Sequence, residues 1–370
     1  MPGQDVACAG AQYLLDEVLG DFPFVDEPSK THVLCLLLTA IMRPMIEGPV
    51  PLALIDAPQA GTGKSLLADV ISVIALGRPA AMMSAPTSDA EWEKRIAAKL
   101  MEGAAVIVID NLDYPLGAPS LAAVLTARKF TSRILGLSRM VTLPVQVTWV
   151  GTGNNIRVRG DLARRCYWIQ LDPKQHRPWQ RTAFKHPNLV EWIQTNRGAL
   201  LGVLLTMARA WFLAGRPAPT TKSLGSFESW ARTVGGVLEY TGLKGFLGNA
   251  GKMYEYADEE EAQWAGFLQA WLRQFQNRPV TASDITRWVD QMPNRQEVLP
   301  GHLADAYAVG QNFTHRLGNA LAKRENKWFS EKGLRVHRTG VQGNAVQWQV
   351  IQEMQMPARV PVPAVARVQH

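Results

Sequence analysis

LALIDAPQAGTGKS, Leu52 to Ser65, is an apolar run that breaks into a glycine-rich loop closed by Gly63-Lys64-Ser65. Phosphate chemistry needs these parts in this order. A buried strand fixes the loop, small residues let backbone N–H groups wrap phosphate oxygens, and Lys64 reaches the β and γ oxygens. Ser65 then holds Mg²⁺, and the helix from Leu66 onward adds its positive N-terminal end to the anion site. The residues expected on a triphosphate, taken as ATP, are Gln59, Ala60, Gly61, Thr62, Gly63, Lys64, Ser65 and Leu66. The general pattern has glycine where this chain has Pro58, and Gly61 and Gly63 supply the flexible turn. A glycine-rich loop without a ligand is the competing reading, and it leaves the strand, the lysine and the helix as unrelated coincidences.

A second stretch of the same kind, AVIVIDNLD from Ala105 to Asp113, is an apolar run ending in an acid. As a buried parallel strand it delivers Asp110 at its carboxyl edge, where the carboxylate can hold the Mg²⁺ shell through water. Asn111 follows, an amide that can position water but cannot take a proton as a carboxylate does. Asp113 is the nearest replacement carboxylate. Two roles are open to it: assisting hydrolysis, or capping the helix expected near Pro119 or the turn before it. Val145 to Val150 reads as a further strand, followed by Gly151-Thr152-Gly153-Asn154-Asn155. An amide at the tip of a strand beside the acid-bearing one can touch the γ-phosphate or the attacking water, Asn154 ahead of Asn155. Gly-Asn also builds turns with no catalytic role.

Between Asp113 and Asp161 there is no acidic residue, while Arg128, Lys129, Arg133, Arg139, Arg157 and Arg159 are all basic. Solvated faces usually mix signs, so this run points to a polyanion. Phe130 to Leu135 and Arg139 to Leu143 flank Gly136-Leu137-Ser138 and read as a hairpin, with Lys129, Arg133 and Arg139 placed to grip a nucleic-acid backbone. The same side chains would also suit the phosphates or acids of a neighbouring subunit. RGDLARRCYWIQLD, Arg159 to Asp172, reads as a short helix bearing Arg164 and Arg165 and then a strand from Cys166 to Leu171. Paired arginines at a domain edge can serve a neighbour's nucleotide as arginine fingers.

The chain has 370 residues, enough for two or three domains, and its 47% hydrophobic and 19% charged content is that of an ordinary soluble protein. A net charge of +7 and a pI near 9.4 favour a polyanionic partner such as nucleic acid. Cys8, Cys35 and Cys166 lie far apart without metal-ligand spacing, which suits buried thiols in a reducing cytoplasm. Neither a secretory leader nor an apolar run of about 18 residues stands in the chain, so neither export nor membrane spanning is expected. No cluster supports metal-protease, cysteine-nucleophile or redox chemistry.

The order of phosphate loop, acid-tipped strand, hairpin, Asn-tipped strand and Arg pair resembles an AAA+ ATPase. The hairpin before the Asn strand resembles the replicative-helicase branch, which includes minichromosome-maintenance helicases and the primase-associated helicases of phages, plasmids and integrative elements. FPF (22 to 24), GTGKSLLA (61 to 68), RILGLS (133 to 138), GTGNN (151 to 155), GDLARR (160 to 165) and LGSFESWARTVGGVLE (224 to 239) resemble helicase-like proteins of prophages and plasmids. The likeness runs from about Ala9 to Val350. It implies ATP held between subunits of a ring, usually a hexamer, with the hairpins lining a pore for single-stranded DNA. It also implies a primase supplied separately, because no such module is seen in this chain. Pro58 and Asn111 depart from the AAA+ pattern, which bears on hydrolysis more than on binding.

The expected fold is thus α/β: an AAA+ P-loop parallel sheet (49–175) with an N-terminal helical collar (1–48), a helical lid and linker (176–250), a C-terminal winged helix (251–354) and a disordered tail (355–370). The lid is the helical stretch Leu189 to Leu213, interrupted at Asn196-Arg197-Gly198. An arginine from such a lid commonly reaches the γ-phosphate; Arg197, Arg209 and Arg232 are candidates, with Arg197 first. Phe227 to Leu247 is helical again. Helices are expected over Glu259 to Phe275, Thr281 to Val289 with a Thr281/Asp284 cap, and Gly310 to Trp328, followed by strands Leu334 to Arg338 and Ala345 to Ile351. The third helix carries Arg316, Lys323, Arg324 and Lys327 around its polar side, a face suited to duplex DNA. Two function classes stand: an ATP-driven motor that translocates on or unwinds DNA in replication of a mobile element, and a nucleotide-switched AAA+ loader with slow or no hydrolysis. A metabolic kinase fits the Arg pair, basic hairpin and winged helix poorly.

Overall fold

The structure, a computed structural model, describes residues 2–133, 139–220, 224–293, 295–310, 312–329 and 333–352. The chain divides into two compact units between Ala257 and Asp258. The first is built on a five-stranded parallel sheet of β1 (Leu52–Ala57), β2 (Ala81–Ser84), β3 (Val106–Leu112), β6 (Thr148–Asn154) and β7 (Cys166–Gln170), in the order β2-β3-β6-β1-β7. Parallel strands buried on both faces read as continuous apolar runs, and β1 is buried at all six positions.

Alternation along the strands sorts their side chains between two cores. Ala53, Ile55, Val108, Val150, Tyr167 and Ile169 face one helical layer. It contains α1 (Gln4–Glu17), α2 (Glu27–Met42), α3 (Lys64–Leu76), α6 (Leu189–Leu213) and the helical pieces α7 (Glu228–Trp230) and α8 (Gly236–Tyr240), joined by a π turn over Ala231–Gly235. Leu52, Leu54, Ile107, Ile109, Trp149 and Trp168 face α4 (Asp89–Met101), α5 (Pro119–Thr126) and Phe130. The N-terminal helices and the helices after β7 therefore share one core with α3. Val33 to Leu38 are six consecutive buried residues, which makes α2 a helix enclosed on every side.

Three local features differ from the sequence reading, the first two with physical causes. β6 does not stop at Val150 but runs to Asn154, because its glycines sit where neighbouring strands press in: a methyl group on Gly151 would stand 2.8 Å from Leu112 Cδ1, and one on Gly153 2.8 Å from the Leu112 carbonyl. α6 continues through Asn196-Arg197-Gly198, the Arg197 side chain being drawn onto α3. The basic hairpin forms as β4 (Lys129–Arg133) and β5 (Met140–Pro144), its outer ends one residue beyond expectation, and the rest of the expected first strand and the tip, 134–138, lie outside the described residues.

α9 (Ala250–Phe275) leads into the second unit, where β8 (Val280–Thr281), α10 (Ala282–Asp290), α11 (Arg295–Val298), α12 (Gly301–Ala308), α13 (Phe313–Ala322), β9 (Trp328–Phe329), β10 (Leu334–Gln342) and β11 (Ala345–Gln352) follow. The sheet order is β8-β11-β10-β9. Thr281 and Asp284 cap α10 reciprocally. The single helix expected over Gly310 to Trp328 is shorter: Asn312 opens it in a left-handed conformation, and after Ala322 the chain leaves it so that Asn326 N–H can bond the Val336 carbonyl. Trp264, Phe267, Trp271, Leu317, Phe329 and Trp348 fill the core. The expected tail, 355–370, lies outside the described residues.

Candidate functional site

All five parallel strands end at one edge, and the loop from Pro58 to Gly63 crosses it between β1 and α3. Gly61 and Gly63 have φ of 74° and 97°, a conformation that costs glycine nothing and other residues a clash, so the turn needs both. Ala60, Ser65 and Leu66 are exposed and Thr62 is buried. The Lys64 ammonium folds back into the loop, donating to the Gln59 carbonyl at 3.1 Å and Thr62 Oγ1 at 3.3 Å, and reaches Asn154 Oδ1 at 2.7 Å. Burial lowers its pKa from the ordinary lysine value, while the Asp56 and Asp110 carboxylates pull it back up.

β6 lies between the loop strand and the acid strand, so Asn154 is the tip next to Lys64: Ala57 and Asn154 are register partners. Asn155 has another contact, its side-chain N–H₂ donating to the Pro58 carbonyl at 3.2 Å. Asp110 accepts from Thr152 Oγ1 at 2.5 Å, which aims the carboxylate from a buried hydroxyl. Asn111, with φ of 54°, lies where the register of β3 shifts between Ile109 and Leu112, and donates to Asp113 Oδ2 at 2.6 Å. Asp113 does not cap α5. Its N-terminal Ser120 is served instead by Asp89 of α4, at 2.8 Å from both the backbone N–H and the hydroxyl.

Two carboxylates at this edge escaped the sequence reading. Asp56, the fifth residue of β1, is buried and accepts from the Ile156 N–H at 2.9 Å, tying the loop strand to the chain just past Asn155. Burial pushes its carboxyl up to about 6. Asp69, one turn into α3, is raised by burial and then by the neighbouring Asp110 charge. Ser65 hydroxyl and Asp110 carboxylate are oxygen donors of the kind Mg²⁺ takes when it keeps water and phosphate in its remaining positions. Among the described residues no group of three His, Cys, Asp or Glu could hold a metal alone.

The arginines separate. Arg164 and Arg165, in the 3₁₀ turn Gly160–Arg165, both pair with Asp161. Arg165 is turned inward onto α5, bonded to the Ala122 carbonyl and to Thr126 Oγ1 at 3.0 Å, with 16% of its side chain exposed; the Arg164 side chain is 65% exposed. Arg197 lies at the far end of α3 from Lys64. It donates to the Val73, Ile74 and Ala75 carbonyls at 3.0, 3.1 and 3.2 Å. The structure does not bring it to the loop, because a cation is drawn to the negative end of a helix.

Lys129, Arg133 and Arg139 are exposed around the β4–β5 hairpin, whose inner side packs Phe130 into the core and bonds Ser132 to Glu93. In the second unit Arg316 and Lys323 are exposed. Arg324 lies 4.4 Å over the Trp264 ring, and Lys327 lies 5.1 Å over Phe329 and 3.7 Å from Glu261. An open groove of about 990 Å³ runs along the other side of α13, lined by Thr286, Thr314, His315, Asn319, Arg338 and Trp348. No helix among the described residues is long and apolar enough to cross a membrane.

A parallel sheet whose inner strand feeds a glycine turn into a helix N-terminus is a P-loop-like α/β architecture. Among solved structures, the chain is similar to the C-terminal region of NrS-1 in its apo form, at 12% identity and a TM-score of 0.37, over 94% of this chain and 75% of that one. It is also similar to JCV helicase with a bound thiazolopyridine compound, at 12% identity and a TM-score of 0.26, over 68% of this chain and 74% of that one. No family model matches the chain, and no curated protein matches it.

Proposed function

We propose that the chain is an ATP-dependent DNA helicase or translocase that acts as a ring, usually a hexamer, in replication of a mobile element. The observation that carries this reading is the convergence of Lys64, Asn154 and Thr152-oriented Asp110 at one strand edge beside the Gly61/Gly63 turn. Lys64 and the α3 N-terminus would hold the phosphates, and Ser65 and Asp110 would hold Mg²⁺, which supplies charge neutralisation at the transferred phosphoryl group. Asn154 would sense the γ-phosphate. Asn111 orients Asp113, whose carboxylate is the acceptor available to align the attacking water. Arg164, exposed at the domain edge, is the better placed of the Arg pair to act on a neighbouring subunit's nucleotide. The exposed cations of the β4–β5 hairpin would face single-stranded DNA, and the second unit, read as a winged helix, would take a duplex. A separate primase is the partner this reading expects.

Steady-state ATPase activity with and without single-stranded DNA, together with fork unwinding, tests the reading. Wild type should be stimulated by DNA, and Lys64→Ala should lose turnover by about a hundred-fold or more. Arg164→Ala should also be inactive, and mixing it with Lys64→Ala should restore part of the activity, since the Lys64→Ala subunit then supplies its intact Arg164 to the intact loop of an Arg164→Ala neighbour. Turnover that ignores DNA, with no strand separation, would remove the motor. It would leave the nucleotide-switched loader, which the amide at Asn111 favours.

A further inference from the structure

The phosphate loop has a neighbour that none of the preceding chemistry uses. After β7 the chain returns over the loop: Gln59 Nε2 donates to the Gln175 carbonyl at 2.7 Å, and the 3₁₀ turn Pro178–Gln180 sets Trp179 against Gly61. A methyl group on Gly61 would stand 3.1 Å from Trp179 Cε3 and 3.3 Å from its Cβ. This is close packing of the indole edge on the glycine turn. The segment is held again beyond the turn, where Arg181 Nη2 donates to the Asp21 carbonyl at 2.8 Å and Lys185 N–H to Asp21 Oδ2 at 2.7 Å.

Fixed at both ends, Trp179 nevertheless keeps 63% of its surface in solvent and belongs to none of the three hydrophobic cores. The contrast with Phe22 is instructive. Phe22 also lies against the loop, 3.4 Å from where a methyl group on Gly63 would stand, but it is buried in the core and explained by packing. An indole held beside a phosphate-binding turn, with its ring open to solvent, has the properties of a stacking platform.

The geometry points to Trp179 as the nucleobase subsite of a nucleoside triphosphate whose phosphates lie in the Gly61–Ser65 loop, an assignment that rests on the nucleotide reading above. A base stacked on an aromatic ring gains affinity whatever its hydrogen-bonding edge, so Trp179 would supply binding strength and leave base selection to other groups. Gly61 then has two functions: its left-handed backbone makes the turn, and its missing side chain seats the indole.

Calorimetric titration of ATP and of inorganic tripolyphosphate, each with Mg²⁺, into wild type, Trp179→Ala, Trp179→Phe and Lys64→Ala separates the possibilities. Trp179→Ala should weaken ATP about ten-fold and leave tripolyphosphate unchanged, and Trp179→Phe should recover most of the loss. Lys64→Ala should weaken both ligands. An ATP affinity untouched by Trp179→Ala would overturn the assignment. So would an equal loss for tripolyphosphate, which would make Trp179 a prop for the loop, or a gain, which would make it a cover. A wild type that binds neither ligand would overturn the nucleotide reading along with it.

Discussion

Asp56 and His32 are buried titratable residues whose stability effects have opposite signs. In the fold the Asp56 carboxyl rises from its ordinary 3.8 to about 6 because burial disfavours its charge. A raised acid contributes stability below its unfolded value, and that contribution is lost as pH climbs from about 4 through about 6. Asp56→Asn keeps an acceptor for the Ile156 N–H without the charge, so at pH 7.5 the variant should be more stable by about 2 kcal/mol, with no difference below about pH 4. His32 is neutral in the core, its Nδ1–H donating to the Trp168 carbonyl at 2.6 Å and its Nε2 accepting from the Leu247 N–H at 2.9 Å. Burial depresses its pKa from 6.5 to about 4, so its contribution is whole above 6.5 and lost as pH falls toward 4. Thermal unfolding against pH should show His32→Gln flattening that acid-side fall; an unchanged slope would mean that another group sets it. In sequence, Asp56 is one polar letter inside an apolar strand and His32 one letter inside a buried helix. Neither shows its role until the surrounding elements close over it.

At the level of elements, the strand tips were readable and their contents were not always. An apolar run ending in Asp110 and a glycine-rich run ending in Asn154 announce strands that deliver a polar group to an edge. The strand was expected to end at Val150 with Gly-Asn left open to a turn, whereas the glycines continue β6 because they answer crowding from β1 and β3. Gly153→Ala tests that cause: a methyl group would meet both Ile156 and the Leu112 carbonyl. The expected cost is about 2 kcal/mol, read as a lower denaturant midpoint, and under the proposed function ATP turnover should also slow as the Asn154 tip is displaced. Arginine roles were the least legible part. Whether Arg165 or Arg197 reaches a phosphate or a helix carbonyl depends on which helix end packs beside it, and nothing local in the sequence states that. Trp179 and Gly61 meet across more than a hundred residues of chain, beyond any spacing rule.

For the whole molecule, the net charge of +7 and the acid-free run from Tyr114 to Gly160 make salt the decisive variable for any nucleic-acid partner. Affinity for single-stranded DNA should fall linearly on a log–log plot against salt. Replacing Lys129 and Arg139 with alanine should flatten the slope by about 0.7 for each phosphate contact removed. A slope that the double variant does not change would remove the hairpin from the interface. Finally, the grip of Arg197 on the last carbonyls of α3 has a mechanical meaning. The same helix begins at Lys64 on the Gly63 cap, so its two ends are fastened, one to the glycine turn and the other to α6, which packs in turn on α1. α3 is thus placed as a tie rod, joining the turn through α6 to the first helix of the chain by unbroken packing.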